Sequence, residues 1–160
     1  MQQQREINFM RAAIELSRKS LDHTVEGGPF GCVIVRHDEI IGKGWNRVIA
    51  TNDPTAHAEV VAIRDACAHL GTHQLDDCEI YASCEPCPMC LGAIYWARPR
   101  AVYFANTRAD AAAIGFDDHL IYEELKAPVD QRIIPMTMLG RDEAIRVFEE
   151  WKKREDRTAY

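Results

Sequence analysis

Two short segments carry side chains whose types and spacing can do chemistry together: His57-Ala58-Glu59 and Cys84-Glu85-Pro86-Cys87-Pro88-Met89-Cys90. His57, Cys87 and Cys90 offer one imidazole and two thiolates, a ligand set for zinc. Three protein ligands leave the fourth tetrahedral position open for water, which is the pattern of a catalytic site. A Cys-x-x-Cys at a helix start also lies where the helix dipole lowers thiol pKa. Glu59 is not read as a fourth ligand, because side chains two apart on a helix diverge by roughly 200°. His57 can still lean toward the N-terminal end. Glu59 then stands beside the metal as a proton carrier for water. Cys84 closes a predicted strand and is read as a packed thiol. A closed structural zinc site would need a fourth ligand, and His69, His73 and Cys84 are poorly placed for it. A redox Cys-x-x-Cys would leave His57 and Glu59 unexplained.

These residues need a scaffold. Apolar residues at Ile7, Met10, Ile14 and Leu21 have helical spacing and predict a helix over Arg5–Leu21. A polar turn ending in Gly27-Gly28-Pro29 follows. Phe30–Val35 and Glu39–Trp45 predict a β-hairpin. Asn52-Asp53-Pro54 is a helix-start signal for a helix running through His57 and Glu59 to about His69, ended by Gly71. Cys78–Ser83 predicts a third strand. Pro86 and Pro88 open a helix carrying Cys90, Ile94 and Trp96, with Trp96 expected in the core, and Pro99 closes it. Arg100–Ala105 predicts a fourth strand, and Asn106–Asp118 is ambiguous. His119–Lys126 predicts a helix, Ile133–Leu139 a fifth strand with Pro135 at an edge or bulge, and Asp142 caps a last helix to about Arg154. The strand–helix alternation points to a layered α/β sheet. No repeat or linker composition appears, so residues 1–160 are expected to form one domain.

Composition narrows the class. The 160 residues are 47% apolar and 28% charged, with a formal net charge of −6. That is ordinary for a globular chain. No uncharged apolar run is long enough for a transmembrane helix, and Met1 to Glu6 has no signal core, so no membrane association and a cytoplasmic location are expected. An acidic chain is a poor binder of phosphate backbones. The one basic cluster, Lys152, Lys153, Arg154 and Arg157, is interleaved with acidic residues and reads as a solvated helix face. Six cysteines occur, at 32, 67, 78, 84, 87 and 90. In a reducing compartment the clustered ones point to metal, while Cys32, Cys67 and Cys78 read as buried thiols.

The pattern His-x-Glu…Pro-Cys-x-x-Cys resembles the signature of the zinc-dependent nucleobase deaminases, and the chain is similar to the cytidine deaminase-like superfamily. Within it, the chain resembles the bacterial guanine deaminases. The likeness runs through Gly27-Gly28-Pro29-Phe30-Gly31, Asn52 to Glu59, Gln74 to Cys78, Cys84 to Pro99, Gly115-Phe116-Asp117-Asp118 and the terminal Tyr160. It implies a three-layer α-β-α sandwich with a five-stranded mixed sheet and a bound Zn2+. It implies hydrolytic attack at C2 of guanine to give xanthine and ammonia, with Glu59 as the proton carrier. Asn46 would pair with the O6/N7 side of the small-molecule purine, Asp118 would accept from its amino side, and Phe30 would stack on its face. The resemblance further implies a homodimer whose C-terminal segments exchange, so that Tyr160 caps the substrate.

Plainer readings stand beside these. Asn46 suits a turn, Asp118 a helix cap, Phe30 a core position and Tyr160 a loose terminus. The shared zinc signature also fits a tRNA adenosine deaminase, although such an enzyme calls for a basic RNA-binding face. A non-catalytic zinc-binding interaction module is the alternative of another class, and it would have no need of Glu59.

Overall fold

Helix α1 (Gln2–Ser17), strands β1 (Gly31–Arg36) and β2 (Glu39–Trp45), a short α2 (Val48–Thr51), α3 (Ala58–Leu70), β3 (Glu79–Cys84), α4 (Pro88–Ala97), β4 (Ala101–Asn106) and α5 (Arg108–Ala113) follow in order. They belong to a computed structural model that describes residues 2–21 and 26–160. The predicted turn after Leu21 lies partly outside the described residues. The sheet order is β2-β1-β3-β4. β1 pairs antiparallel with both β2 and β3, and β3 pairs parallel with β4, so the sheet is mixed. A parallel pair needs a crossover, and α4 is that crossover.

Side-chain alternation along the strands builds three layers. Cys32, Ile34 and Ile80 face Ala58, Ala62, Ala66 and Ile94 of α3 and α4. Val33, Val35 and Tyr81 face Ala13 and its neighbours on α1. Helix α3 lies hard against β2. A side chain at Gly42 or Gly44 would collide with the α3 backbone or with Ala62 and Ala66. Glycine on the strand and alanine on the helix therefore permit a contact that larger residues would push apart.

The chain divides into two compact units, the first ending at Asp118 and the second running His119–Tyr160. The second contains α6 (His119–Lys126) and α7 (Arg141–Lys153). None of its residues is buried, and Leu125, Ile134, Leu139 and Phe148 are well exposed. No helix among the described residues is long and apolar enough to cross a membrane.

Three expectations are corrected. Among the described residues the sheet has four strands, not five, because Ile133–Leu139 is irregular. Pro135 has no N–H for a ladder, and the Ile133 N–H goes instead to Glu124 Oε2, 2.8 Å away. The helix expected from Pro54 begins only at Ala58. Trp96 is exposed, together with Tyr95 on the outer face of α4.

At the start of β3, Glu79 is 5% exposed. It accepts from Arg5 Nη1 at 2.7 Å, Arg100 Nη2 at 2.7 Å and the Tyr81 hydroxyl at 2.9 Å. Burial opposes its ionisation, but these hydrogen bonds outweigh it and hold the carboxyl below its usual 4.5. Glu79→Gln is expected to cost about 2 kcal/mol at neutral pH, less than a fully buried pair because Arg100 is half-exposed. Folding depresses this pKa, so its stabilisation is complete above the unfolded value and is lost as pH falls through the folded value. Denaturant unfolding should show the gap between wild type and variant steady near neutrality and closing below about pH 4. A gap that ignores pH would mean that Glu79 acts through packing alone.

Candidate active site

The site is assembled at one end of the sheet. Gly31 opens β1 opposite Trp45, which ends β2, and Cys84 ends β3 opposite Asn106, which ends β4. Ser83 Oγ accepts from the Gly31 N–H at 2.9 Å, tying β1 to β3 at this edge.

His57 reaches this edge through a loop. Asn52 is left-handed at the end of α2, with φ 51°. Asp53 Oδ1 then accepts from Thr55 N at 2.8 Å and Thr55 Oγ1 at 2.7 Å, a turn that competes with helix. His57 therefore becomes the N-cap of α3 in extended conformation, φ −68° and ψ 155°. Cys87 is the N-cap of α4 in nearly the same conformation, φ −66° and ψ 169°, with Pro88 at the first helical position it favours. Neither side chain caps its own helix. Each is left to point away, beside helix ends rich in unpaired N–H groups.

The ligand atoms of His57, Cys87 and Cys90 lie within 4.8 Å of one another. His57 Nδ1 is 3.5 Å from each sulfur. With Zn–N of about 2.0 Å and Zn–S of about 2.3 Å, a tetrahedral nitrogen–sulfur edge measures about 3.5 Å. The donor set and its spacing both fit zinc. Cys84 stays out of the cluster, buried, with its thiol 3.6 Å from the Thr107 carbonyl. Glu59 is 8% exposed, and its Oε2 is 3.4 Å from Cys90 Sγ.

The electrostatics suit metal binding. The Cys87 thiol is pulled down to about 4, first by its hydrogen bond with Cys90 and, against the cost of burial, by His57. Cys90 moves upward because it holds the proton the two thiols share and because it is buried. His57 is raised, chiefly by Cys87. Burial raises the Glu59 carboxyl.

Asn46 and Phe30 are neighbours at the end of β2 and the start of β1, with Asn46 N donating to Phe30 O at 3.0 Å. Asn46 is buried, and its side-chain oxygen accepts from Val48 N at 3.1 Å. Arg47 N donates to Ala56 O at 3.0 Å, linking this corner to the His57 loop. Gly27 packs so closely on Asn46 that any side chain there would overlap it. Glu26 Oε2 receives Trp45 Nε1 at 2.6 Å. Phe30 is half-buried and packs partly on the core, so its plain reading also holds in part. Asp118, half-buried, has its carboxyl pushed up by burial and then by the charge of Cys87. Tyr160 belongs to the second unit and is 69% exposed. Sequence reasoning missed Phe116 as a site neighbour. Its ring meets Phe30 edge to face, with centroids 5.0 Å apart and planes at 89°.

Residues 3–106 match the family described as the cytidine and deoxycytidylate deaminase zinc-binding region. With this fold and this cluster, the chain belongs to that family. It is 50% identical over 152 residues to a guanine deaminase of Bacillus subtilis (strain 168), covering 95% of this chain and 97% of that one. An X-ray structure of guanine deaminase from Bacillus subtilis superposes with a TM-score of 0.92, at 50% identity, over 96% of this chain and 97% of that one. A tRNA-specific adenosine deaminase of Aquifex aeolicus is 39% identical over 97 residues, covering 61% of this chain and 63% of that protein.

Cys90→Ala removes a candidate ligand from the cluster. Metal analysis of the purified variant should find its zinc content sharply below that of wild type, whereas Cys84→Ala should keep its zinc. Equal zinc in wild type and Cys90→Ala would dissolve the proposed ligand set.

Proposed function

We propose that this chain is a zinc-dependent hydrolase that converts guanine and water to xanthine and ammonia. The observation that carries this reading is the buried carboxylate of Glu59 set 3.4 Å from a sulfur of the His57–Cys87–Cys90 cluster. A binding module gains nothing by burying a carboxylate beside its ligands. The near full-length similarity to a guanine deaminase supports guanine as the ring.

His57, Cys87 and Cys90 would hold Zn2+. A zinc ion there supplies Lewis acidity that brings the pKa of water to about 7. Glu59 takes one proton from water as its oxygen bonds to C2 and passes it to the adjacent ring nitrogen; it then takes the remaining hydroxyl proton and gives it to the amine, so that the C2–N bond breaks, ammonia leaves and the C2 carbonyl forms. Its upward-shifted carboxyl suits a group that must both accept and donate. The Asn46 carbonyl oxygen is engaged by Val48, which leaves its NH2 as the donor for the guanine acceptors O6 and N7. Asp118 accepts from the N1–H and amino side and relays a proton to ammonia. Phe30 offers its ring to the purine face.

We read the working protein as one deaminase domain per chain in a homodimer, with C-terminal segments exchanged and Tyr160 closing over the purine. The apolar residues exposed on the second unit and on α4 support this. The free cysteines support a reducing, cytoplasmic setting.

An ammonia-release screen over guanine, guanosine, adenine and cytosine is expected to single out guanine. Conversion of adenosine in tRNA with guanine untouched would instead favour the RNA-directed reading, against which the net charge of −6 already weighs. Glu59→Ala should lower guanine turnover by about a hundred- to ten-thousand-fold while zinc stays bound. Full activity in that variant would sink the mechanism. Asp118→Ala should lower kcat for guanine as well, measured in the same assay.

A further inference from the structure

We propose that Phe116 is a positioning residue for Asp118. It anchors the segment that delivers this carboxylate by wedging its ring against the backbone of Gly28 and the edge of Phe30. The proposal rests on the reading above, in which Asp118 acts on the substrate.

The segment between β4 and Asp118 is fastened at three points, each by a different device. Its start is tied to the strand-to-helix turn that leads into Cys87. Glu85 N donates to Asn106 O at 2.8 Å, and Glu85 Oε2 accepts from Arg108 N at 3.1 Å. Its middle is the short helix α5, closed by a reciprocal cap in which Thr107 and Asp110 exchange hydrogen bonds with each other's backbone. Its end turns sharply. Gly115 adopts φ +96°, open to glycine and costly for other residues, and Phe116 N donates back to Ala111 O at 3.0 Å.

Beyond Gly115 the Phe116 ring meets a second loop of the chain. The ring lies so close to Gly28 that a methyl there would come 2.7 Å from Phe116 Cζ and 2.8 Å from Phe30 Cε2. The absence of a side chain at Gly28 is what admits the ring, and the edge-to-face contact with Phe30 sets its tilt. Asp118 follows two residues later. Phe116 is itself 46% exposed, so it is not held there as core. Its ring packs on the corner that also carries Phe30 and Asn46. One loop of the candidate pocket is thus keyed into another.

A misplacement of about 1 Å at a reacting group can cost about 100-fold in rate. Phe116→Ala is therefore expected to lower kcat for guanine about 100-fold, with zinc content and melting temperature close to wild type. Gly28→Ala keeps the ring but expels it from its seat, and should do the same. The decisive measurement is a double-mutant cycle. In an Asp118→Ala background, Phe116→Ala should lower kcat by no more than about twofold, because the group it positions is gone. A shift in KM that persists in that background reports on Phe30 and leaves the kcat test unaffected. An unchanged kcat in Phe116→Ala, or an equal loss with and without Asp118, overturns the proposal. Wild-type kcat in Asp118→Ala alone would overturn the role of Asp118 first, and the positioning proposal with it.

Discussion

The site depends on how closely α3 lies on β2. Two glycines on the strand, Gly42 and Gly44, meet Ala58, Ala62 and Ala66 on the helix with no room for a further carbon. That contact fixes how close α3 lies to the sheet. The first residues of α3 then place His57 at the sheet edge and turn Glu59 inward. A bulkier residue at either glycine would lift the helix and shift imidazole and carboxylate together. Packing of small residues, rather than any bond to the ligands, sets the geometry of the chemistry.

Two helices begin at a candidate ligand. His57 precedes α3 and Cys87 precedes α4, both in extended backbone, and neither spends its side chain on capping. The starts of both helices therefore flank the candidate cluster, and a helix N-terminus favours thiolate over thiol. The two sulfurs differ because Cys90 hydrogen-bonds to Cys87 and keeps the proton, which lowers Cys87 and, with burial, raises Cys90. The position of Glu59 in the first turn of α3 offsets part of the cost of burying a carboxylate.

Much of this was legible in the residues. The candidate ligands and Glu59 sit in two short segments that the fold brings together. The hairpin, the parallel crossover and the layering follow from alternation and from proline and glycine punctuation. Other features were not legible, for definite reasons. The start of α3 was placed too early because Asp53-Pro54 suits a helix start as well as a turn, and only the hydrogen bonds to Thr55 decide between them. Ile133–Leu139 has the apolar content of a strand, but a strand also needs a partner. The meeting of Phe116 with Gly28 joins residues far apart in the chain, and no spacing rule reports it. Trp96 has the composition of a core residue and yet lies outside.

Strand β3 joins two regions of opposite character. It starts at the Glu79 ion cluster and ends at Cys84, beside the turn that leads into the candidate ligands. Six residues of strand span about 20 Å. At that distance charges near the surface are largely screened from one another. Robustness and reactivity are thereby assigned to opposite ends of a single buried ribbon. Lineages are free to retune the ionic end for heat, acidity or salt while the reactive end holds still, and an engineer can exploit the same separation.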